Sequence, residues 1–352
     1  MDWNPKLYRF TRRGLIRVGA VGTAGIGLAC IGLSPESAAA QNKKWKITLI
    51  QGVAGDNFYI SMACGAQKAA NDGGAALTVQ GPQKFDATLQ TPLLAAVIQS
   101  KPDAILIAPN DRTAMIGPIQ DAIDAGIAVF TVDTKIESDI ALANIASDNV
   151  EGGKIAAKAL ADLLGGKGSV FVTNTKAGIS TTDQRQQGFE DGIKAYPNIK
   201  YLGAQYNNDD PTTAASQTAA ILQANPDLAG IFGTNLFGAE GAATAVREAG
   251  KQGAVKIVGF DAGPKQVQDL KDSVVDVLIA QHPYDIGNTG VKMAIDYLNT
   301  KTAPTKKVIT TGYTIATRAN VADPQVAKYL YVADCSEIPA DTGTPVATPV
   351  SA

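Results

Sequence analysis

The sequence predicts an α/β protein made of two similar doubly wound parallel-sheet lobes. The chain has 352 residues, 45% of them hydrophobic and 18% charged, so it can bury a larger core than one lobe needs. After Trp45, short β-branched or apolar runs alternate with longer helical patterns, which is typical of doubly wound parallel sheets. About nine such runs occur, more than one mononucleotide-type half requires. We therefore expect two lobes.

The predicted strands are short, and most neighbours are separated by enough residues for one helix. They cover residues 46–51, 76–80, 104–108, 127–132, 169–173, 200–205, 230–233, 256–259 and 275–280. Helical periodicity covers residues 58–71, 87–100, 150–164, 182–196, 212–224 and 239–249. From Asp334 onward the chain is rich in Pro, Thr and Ala and lacks periodicity, so we expect a disordered tail at 334–352.

Polar residues or glycines follow many of these strands directly. In open parallel sheets the ligand crevice lies beyond the carboxyl ends of the strands. We therefore expect one cleft to be lined by the residues at these positions, which are Gly52, Asn110, Asp133, Asn174, Asn235 and Asp261.

The first forty residues have the layout of an export signal. Basic Thr11-Arg-Arg-Gly-Leu-Ile-Arg17 precedes a Gly- and Ala-rich apolar stretch, and Ala38-Ala-Ala40 offers a small-residue cleavage site. This pattern predicts a twin-arginine signal peptide at 1–40, cleaved before Gln41. An uncleaved membrane anchor and a lipid-modified Cys30 are the alternatives.

The charge of the remaining chain disfavours two classes of partner. Residues 41–352 contain 26 basic and 31 acidic residues, a formal charge of −5. Nucleic-acid binding needs clustered Lys and Arg to neutralise phosphates, and binding to an anionic membrane surface needs the same. We therefore expect neither partner.

Two cysteines, Cys64 and Cys335, remain after such a cleavage. In an oxidising compartment they could form a disulfide between the first helix and the C-terminal tail. A buried Cys64 and a free Cys335 is the other interpretation, because the sequence does not show that the two are close.

No enzymatic constellation stands out in the sequence. His282 is the only histidine, and no Gly-x-Ser-x-Gly elbow accompanies it. Gly165-Gly-Lys-Gly-Ser169 lacks the phosphate-loop spacing and precedes a strand, so it predicts a helix-ending turn. Asp209-Asp-Pro-Thr212 fits a helix cap better than a calcium loop. We therefore expect no catalytic residue, no metal and no cofactor.

One segment, Ile145-Ala-Ser-Asp-Asn-Val-Glu-Gly-Gly-Lys-Ile-Ala-Ala157, closely resembles the crossover of periplasmic sugar-binding proteins of the ribose-binding type. The resemblance runs in register from about Lys46 to Thr317. It implies the type I periplasmic-binding-protein fold, with a three-strand hinge between a first lobe of 41–147 plus 282–310 and a second lobe of 148–281 plus 311–333. Further matching motifs are Asp56-Asn-Phe-Tyr59, Val132-Asp-Thr134, Arg185-Gln-Gln-Gly-Phe189, Gly233-Thr-Asn235, Val258-Gly-Phe-Asp261 and Ile279-Ala-Gln281.

The resemblance also implies a set of ligand-binding residues. Phe58 and Tyr59 would stack on the ligand, Asp133 would accept two hydroxyl hydrogens, and Arg185 would clamp the ligand from the second lobe. Asp133 and Asp261 could instead cap helices, and Asn235 could hold a turn. The full expected set is Asp56, Phe58, Tyr59, Asp133, Thr134, Arg185, Asn208, Asn235, Asp261 and Gln281.

Two departures from the ribose-binding pattern bear on the ligand. Thr134 stands where ribose binders carry arginine, and Asn207-Asn-Asp209 stands where they carry a third aromatic residue, for which Tyr206 or Phe237 could substitute. The site then holds three aspartates against Arg185, which disfavours an anionic ligand. We expect a neutral monosaccharide or linear polyol other than ribose.

The resemblance implies a monomeric periplasmic solute receptor that delivers its ligand to an ABC permease in the inner membrane. A sensory, chemotaxis or autoinducer receptor of the same fold is the main alternative. An exported sugar-acting enzyme would need a carboxylate pair, for which Asp133 and Asp261 are the candidates.

Overall fold

The chain folds into two six-stranded sheets, each covered by helices on both faces. The computed structural model describes residues 44–338. The export signal expected at 1–40 and the chain from residue 339 onward lie outside the described residues. Among residues 44–338, no helix combines the length and the apolar character that crossing a membrane requires.

The described residues form twelve strands. In chain order they are β1 Lys46–Ile50, β2 Ala76–Gln80, β3 Ala104–Ile107, β4 Ala128–Val132, β5 Asn144–Ser147, β6 Lys167–Asn174, β7 Asn198–Tyr206, β8 Leu228–Gly233, β9 Lys256–Phe260, β10 Val277–Gln281, β11 Val308–Thr311 and β12 Tyr313–Ala316.

The same part of the chain forms ten α-helices. They are α1 Asn57–Asp72, α2 Ala87–Gln99, α3 Ile116–Asp124, α4 Asn149–Leu163, α5 Ser180–Ile193, α6 Pro211–Ala224, α7 Leu236–Glu248, α8 Pro264–Lys271, α9 Pro283–Thr300 and α10 Pro324–Ala327.

The two sheets share one strand order, which confirms the predicted pair of doubly wound lobes. The first sheet runs β11-β5-β4-β3-β1-β2 and the second β12-β10-β9-β8-β6-β7. All pairings are parallel except β10 with β12. Central strands such as β3 are buried along their whole length, because helices cover both faces of a parallel sheet.

The chain passes between the sheets at three places. The first lies after Ser147, the second after Gln281 and the third at Gly312, which separates β11 in one sheet from β12 in the other. The strands β5, β11 and β12 were absent from the strands predicted by periodicity. Each has only four residues, too few for an alternating or apolar pattern to be distinctive.

Aspartates begin many of the helices, because their carboxylates accept hydrogen bonds from free N–H groups of the first turn. The predicted cap before α6 is confirmed: Asp210 accepts from Thr213 N–H, and Pro211 takes the first helical position. The predicted helix-ending turn is confirmed at Gly165 and Gly166, whereas residues 167–169 already belong to β6. Gly165 and Gly166 follow α4 with positive φ, a conformation that favours glycine.

The C-terminal segment differs from the expected disordered tail. Residues 335–337 form a 3₁₀ turn, and Cys335 is joined by a disulfide to Cys64 of α1. The Cα atoms of the two cysteines are 5.4 Å apart, although 271 positions separate them in sequence. Of the two interpretations left open by the sequence, the disulfide is therefore correct, and the prediction of disorder was wrong for residues 334–338.

Candidate functional site

A cavity lies between the two sheets, where loops from the carboxyl ends of strands in both sheets meet. It contains about 400 Å³ of space free of atoms, counting its opening to solvent. Its walls are formed by Asp56, Phe58, Tyr59, Phe85, Asp133, Thr175, Ile179, Thr181, Thr182, Arg185, Asp209, Asn235, Asp261 and Gln281.

The structure brings eight of the ten residues predicted for the site together around this cavity. Thr134 and Asn208 are not among the lining residues. Thr134 is buried, and its carbonyl accepts a hydrogen bond from Asn144. The prediction of Asn208 was wrong by one position. Asn208 and Asp209 both have left-handed φ values, so the turn exposes Asn208 and places Asp209 in the cavity wall.

The first lobe contributes an aromatic wall and two carboxyl groups. Asp56 caps α1 by accepting from Phe58 N–H at 2.7 Å, and this places Phe58 and Tyr59 on the first turn. The Phe58 and Tyr59 rings meet edge to face with centroids 5.1 Å apart. Phe85, from the loop after β2, lies 6.5 Å from Tyr59 and extends the wall.

Asp133 does not cap a helix, which excludes the capping role that the sequence offered as an alternative to ligand binding. The residue follows β4 with φ of 60°, and its backbone N–H donates to Ile145 O at 2.8 Å. Its carboxyl group accepts from the Tyr59 hydroxyl at 2.7 Å. One carboxyl oxygen is therefore oriented by the aromatic wall, and the group lies at the cavity surface.

Arg185 reaches the cavity from α5 of the second lobe. Its Nε donates to Asn149 Oδ1 at 2.8 Å and its Nη1 donates to Thr234 O at 2.9 Å. The guanidinium carbon lies 3.9 Å from the Phe260 ring centroid, so the planar group is stacked as well as hydrogen-bonded. These bonds occupy two of its five N–H groups, which leaves donors for a ligand.

Asp261 follows β9 with φ of 77° and is held by three donors. Leu236 N–H, Gln281 Nε2 and the Tyr331 hydroxyl donate to its carboxyl oxygens at 2.8 to 2.9 Å. The next helix, α8, has Gly263 as its cap, so Asp261 does not serve that role. Gln281 Oε1 is buried and has no partner among the described residues, so this acceptor is free for a ligand donor.

Asn235 lines the cavity and also has a structural role, as a helix cap where the sequence offered a turn as the alternative. Its Oδ1 accepts from Gly238 N–H and caps α7, while its Nδ2 donates to Asp209 Oδ1 at 2.6 Å. Asp209 thereby takes the place in the wall where the ribose-binding pattern has an aromatic residue.

The cavity gathers four carboxyl groups, those of Asp56, Asp133, Asp209 and Asp261, around the guanidinium of Arg185. Burial raises the pKa of Asp56 well above its usual value, and the charges of Asp209 and Asp261 raise it further. Burial raises the pKa of Asp133 to about 6, although Arg185 and the Tyr59 hydrogen bond lower it. Burial raises the pKa of Asp209 to about 7, against the lowering effect of Asn235. Near neutral pH, the carboxyl groups of Asp56, Asp133 and Asp209 are therefore not all ionised.

Several wall residues were not identified from the sequence. Phe85 supplies the third ring, whereas the expected substitutes Tyr206 and Phe237 are not in the wall; Tyr206 is 41% exposed. The available signal for Phe85 was its position in the loop between β2 and α2. The loop between β6 and α5 adds Thr175 and Ile179, and the first turn of α5 adds Thr181 and Thr182.

The two lobes also touch at the rim of the cavity. Arg112 N–H, after β3, donates to Gly178 O at 3.0 Å, and its guanidinium lies 3.6 Å from Asp183 of α5. Lys135 N–H donates to Ser180 Oγ at 2.9 Å. These contacts join loops of the first lobe to the loop before α5 and to the first turn of α5 in the second lobe, so the structure represents a closed arrangement.

His282, at the second crossover, packs against an aromatic ring of the second lobe's C-terminal region. Its ring stacks on Tyr329 with centroids 3.6 Å apart, and Nε2 is 3.0 Å from Thr314 Oγ1. Burial, together with the charge of Lys328, lowers the pKa of His282 to about 4. Within residues 44–338, no group of His, Cys, Asp and Glu side chains has a metal-binding arrangement.

Known proteins resemble this chain over most of its length. The periplasmic binding protein domain family matches residues 47–302. The ribose import binding protein of Bacillus subtilis is 30% identical over 265 residues, which is 75% of this chain and 85% of that protein. The D-allose-binding periplasmic protein of Escherichia coli is 29% identical, over 68% of this chain and 80% of that protein.

Solved structures give the same result. An ABC transporter solute-binding protein from Agrobacterium vitis, with bound α-D-tagatopyranose, is 46% identical with a TM-score of 0.80, covering 82% of this chain and all of that chain. A second one from the same organism, with bound D-fucose, is 32% identical with a TM-score of 0.77, covering 81% and 99%. The resemblance inferred from the motifs is confirmed, and the chain belongs to the periplasmic binding protein family as a solute-binding protein.

Proposed function

We propose that the cavity captures one neutral monosaccharide in its pyranose form and that the protein delivers this sugar to an ABC permease. The observation that carries the proposal is the meeting of fixed planar polar groups from both lobes beside an aromatic wall. Arg185 and Asp261 are each held by neighbouring groups, and Tyr59 orients Asp133. Preorganised donors and acceptors of this kind bind adjacent hydroxyl groups with little loss of side-chain freedom.

The wall chemistry favours a sugar over other small solutes. The rings of Phe58, Tyr59 and Phe85 offer apolar surface to the C–H face of a pyranose. The buried Oε1 of Gln281 requires a donor, and a hydroxyl supplies one. Four carboxyl groups around one guanidinium make the cavity unfavourable for a sugar acid or a phosphate.

D-Tagatose is the first candidate ligand, because the 46% identical structure contains α-D-tagatopyranose. D-Fucose, D-ribose and D-allose follow, since more distant relatives bind these sugars or carry them in their names.

Ligand capture would couple to closure of the two lobes, taken as 41–147 with 282–310 and 148–281 with 311–333. Asp56 and Asp133 belong to the first lobe, and Arg185 and Asp261 belong to the second. A sugar that bonds to both sets at once binds the closed form more tightly and shifts the population toward it. The permease would then recognise the closed outline.

Export by the twin-arginine route is part of the proposal and is supported by residues 11–17 and the small-residue site at 38–40. Replacing Arg12 and Arg13 by lysine should leave the protein in the cytoplasm of a producing bacterium. Fractionation followed by immunoblotting checks this, and unchanged periplasmic yield would contradict the route.

The ligand assignment is tested by thermal unfolding with a panel of ketohexoses, aldohexoses, pentoses, polyols and sugar acids. A ligand that binds only the folded state raises the melting temperature. We expect a rise with D-tagatose or another neutral monosaccharide and none with sugar acids. A rise confined to sugar acids or amino acids would refute the proposal.

Asp133→Asn provides the matched variant, with exposed Asp139→Asn as its control. Asparagine tolerates the left-handed φ of position 133 and can still accept from Tyr59, but it replaces one acceptor oxygen by a donor. We expect the sugar-induced rise to disappear in Asp133→Asn and to persist in Asp139→Asn, with both proteins folded without sugar.

A further inference from the structure

The segment Tyr331–Cys335, here called the C-terminal strap, connects the two lobes beside the cavity. On the second-lobe side, Tyr331 N–H donates to Ala262 O at 3.0 Å. On the first-lobe side, Val332 N–H donates to Ser61 Oγ at 3.0 Å, and Asn57 Nδ2 donates to Val332 O at 3.1 Å. The strap is therefore a fourth link between the lobes, in addition to the three crossovers.

The disulfide fixes the far end of the strap to α1. Cys335 is bonded to Cys64, which lies on the same helix as the cavity residues Phe58 and Tyr59. Four residues of extended chain span at most about 14 Å. The covalent anchor therefore keeps Tyr331 within a short distance of α1 even when noncovalent contacts of the strap break.

Tyr331 lies directly behind the ligand cavity and is 5% exposed. Its hydroxyl donates to Asp261 Oδ1 at 2.9 Å and accepts from Gln281 N–H at 3.1 Å. Its ring packs edge to face on Phe58, with centroids 5.8 Å apart. Tyr331 thus touches three wall residues from both lobes without being a wall residue itself.

We infer that Tyr331, held in place by the Cys64–Cys335 disulfide, is a positioning residue that orients Asp261 and Gln281 for ligand binding. The inference rests on the proposed function, because Asp261 and Gln281 would bind the sugar. Asp261 occupies a left-handed conformation that is unfavourable for a residue with a Cβ, so its orientation depends on its hydrogen-bond partners. Without the Tyr331 hydroxyl, Asp261 loses one of three donors and the buried Gln281 N–H loses its acceptor.

The first test is Tyr331→Phe, measured by calorimetric titration with D-tagatose and with the other neutral sugars of the panel. The variant keeps the ring against Phe58 and removes only the hydroxyl. We expect the affinity to fall by roughly tenfold, because the buried Gln281 N–H is left without its acceptor and Asp261 loses one of its donors. Tyr329→Phe is the matched control, because Tyr329 stacks on His282 outside the cavity wall, and it should bind like the unchanged protein.

The second test is the paired variant Cys64→Ser with Cys335→Ser, alone and combined with Tyr331→Phe. If the disulfide acts through Tyr331, removing it should weaken sugar binding, and adding Tyr331→Phe should then weaken binding by less than it does in the disulfide-bonded protein. Equal effects in both backgrounds, or unchanged affinity of the cysteine pair, would overturn the role assigned to the disulfide.

A third measurement needs no ligand. In the sugar-free protein, exchange of the Gln281 amide hydrogen should accelerate in Tyr331→Phe and stay unchanged in Tyr329→Phe, because only the first variant removes its acceptor.

The outcomes separate this inference from the proposed function. Sugar binding of unchanged affinity in a folded Tyr331→Phe protein overturns the inference and leaves the function standing. If the unchanged protein binds no sugar of the panel, the proposed function fails, and the Gln281 exchange rate decides whether Tyr331 positions this wall. Unchanged exchange would then overturn the positioning role as well.

Discussion

At the scale of single residues, the most unusual property of the cavity is the raised pKa of several of its carboxyl groups. Asp56, Asp133 and Asp209 all have raised pKa values, with burial as the largest cause. Burial and mutual repulsion thus disfavour full ionisation of these three groups, even beside the guanidinium of Arg185. The cavity is thus costly for the ligand-free protein at neutral pH, and hydroxyl donors of a sugar can offset part of that cost.

The raised pKa of Asp209 predicts a pH dependence of stability. A carboxyl group whose folded pKa is about 7, against an ordinary value near 3.8, binds its proton more tightly in the folded state. The free energy of unfolding should therefore fall as pH rises from about 4 to 7, and level off above. In Asp209→Asn this penalty is absent, since the amide can still accept from Asn235 and carries no charge.

The measurement is urea denaturation of the sugar-free protein and of Asp209→Asn at pH values from 5 to 8. Asp209→Asn should become more stable relative to the unchanged protein as pH rises, by on the order of 1 to 2 kcal/mol because the residue is partly exposed. Exposed Asp121→Asn is the control. A difference that is the same at every pH would show that the proton of Asp209 is not involved.

The residues of the site also show how far sequence reasoning reaches. Asp133, Asn235 and Asp261 could be expected in the cleft because they lie at the carboxyl ends of parallel strands, whereas Asp56 was identified only through the motif it shares with ribose-binding proteins. Asp209 could not be distinguished from Asn208, since the left-handed turn that exposes one and turns the other inward is a property of the folded loop. That these residues bind a sugar stays a prediction.

At the scale of elements, close helix packing positions Arg185. Gly153 of α4 and Gly188 of α5 let the two backbones approach: a Cβ at Gly153 would lie 2.1 Å from Arg185 O, and one at Gly188 would lie 2.0 Å from Val150 O. Asn149, which holds the Arg185 side chain, belongs to the same helix pair. Gly153 of the segment that resembles the ribose-binding crossover thus has a direct structural role.

Gly153→Ala should therefore destabilise the protein by roughly 2 kcal/mol or more, because the added methyl group meets backbone that cannot yield without separating the helices. The matched control is Gly117→Ala on α3, where an added Cβ meets nothing within 4 Å and alanine should stabilise the helix by about 0.5 to 1 kcal/mol. Urea denaturation measures both. A Gly153→Ala protein as stable as the unchanged one would contradict this packing role.

Element prediction succeeded where a segment was long enough to show its period. The helices α1, α2, α4 and α6 were predicted to within one residue at each end. The short strands β5, β11 and β12 are stabilised by pairing with neighbouring strands of their sheets. The strap is held by the disulfide between Cys64 and Cys335. Such contacts join residues far apart in the sequence, so no local sequence pattern predicts them.

At the scale of the whole molecule, the structure describes the closed member of an expected open–closed equilibrium. The two lobes share a cavity, three crossovers, the strap and the contacts at the cavity rim. Each rim contact joins residues from different lobes, so opening must break it. Groups at the rim should therefore control how long a bound sugar stays, even though they do not touch it.

Arg112 provides the test of this equilibrium. Its guanidinium lies 3.6 Å from Asp183 across the rim and is 42% exposed, so the pair is worth only about 0.2 to 1 kcal/mol. Arg112→Gln should raise the dissociation rate of D-tagatose, or of whichever sugar the panel identifies, by about two- to fivefold with little change in association rate. Stopped-flow measurements give both rates.

Salt separates this effect from a local distortion of the cavity. In 1 M NaCl the Debye length is about 3 Å, so the Arg112–Asp183 attraction is screened and the variant should release sugar like the unchanged protein. Lys158→Gln is the control, because Lys158 pairs with Asp162 within α4, far along the helix from the rim. A faster release that persists in high salt, or a change confined to association, would show that Arg112 does not stabilise the closed lobes.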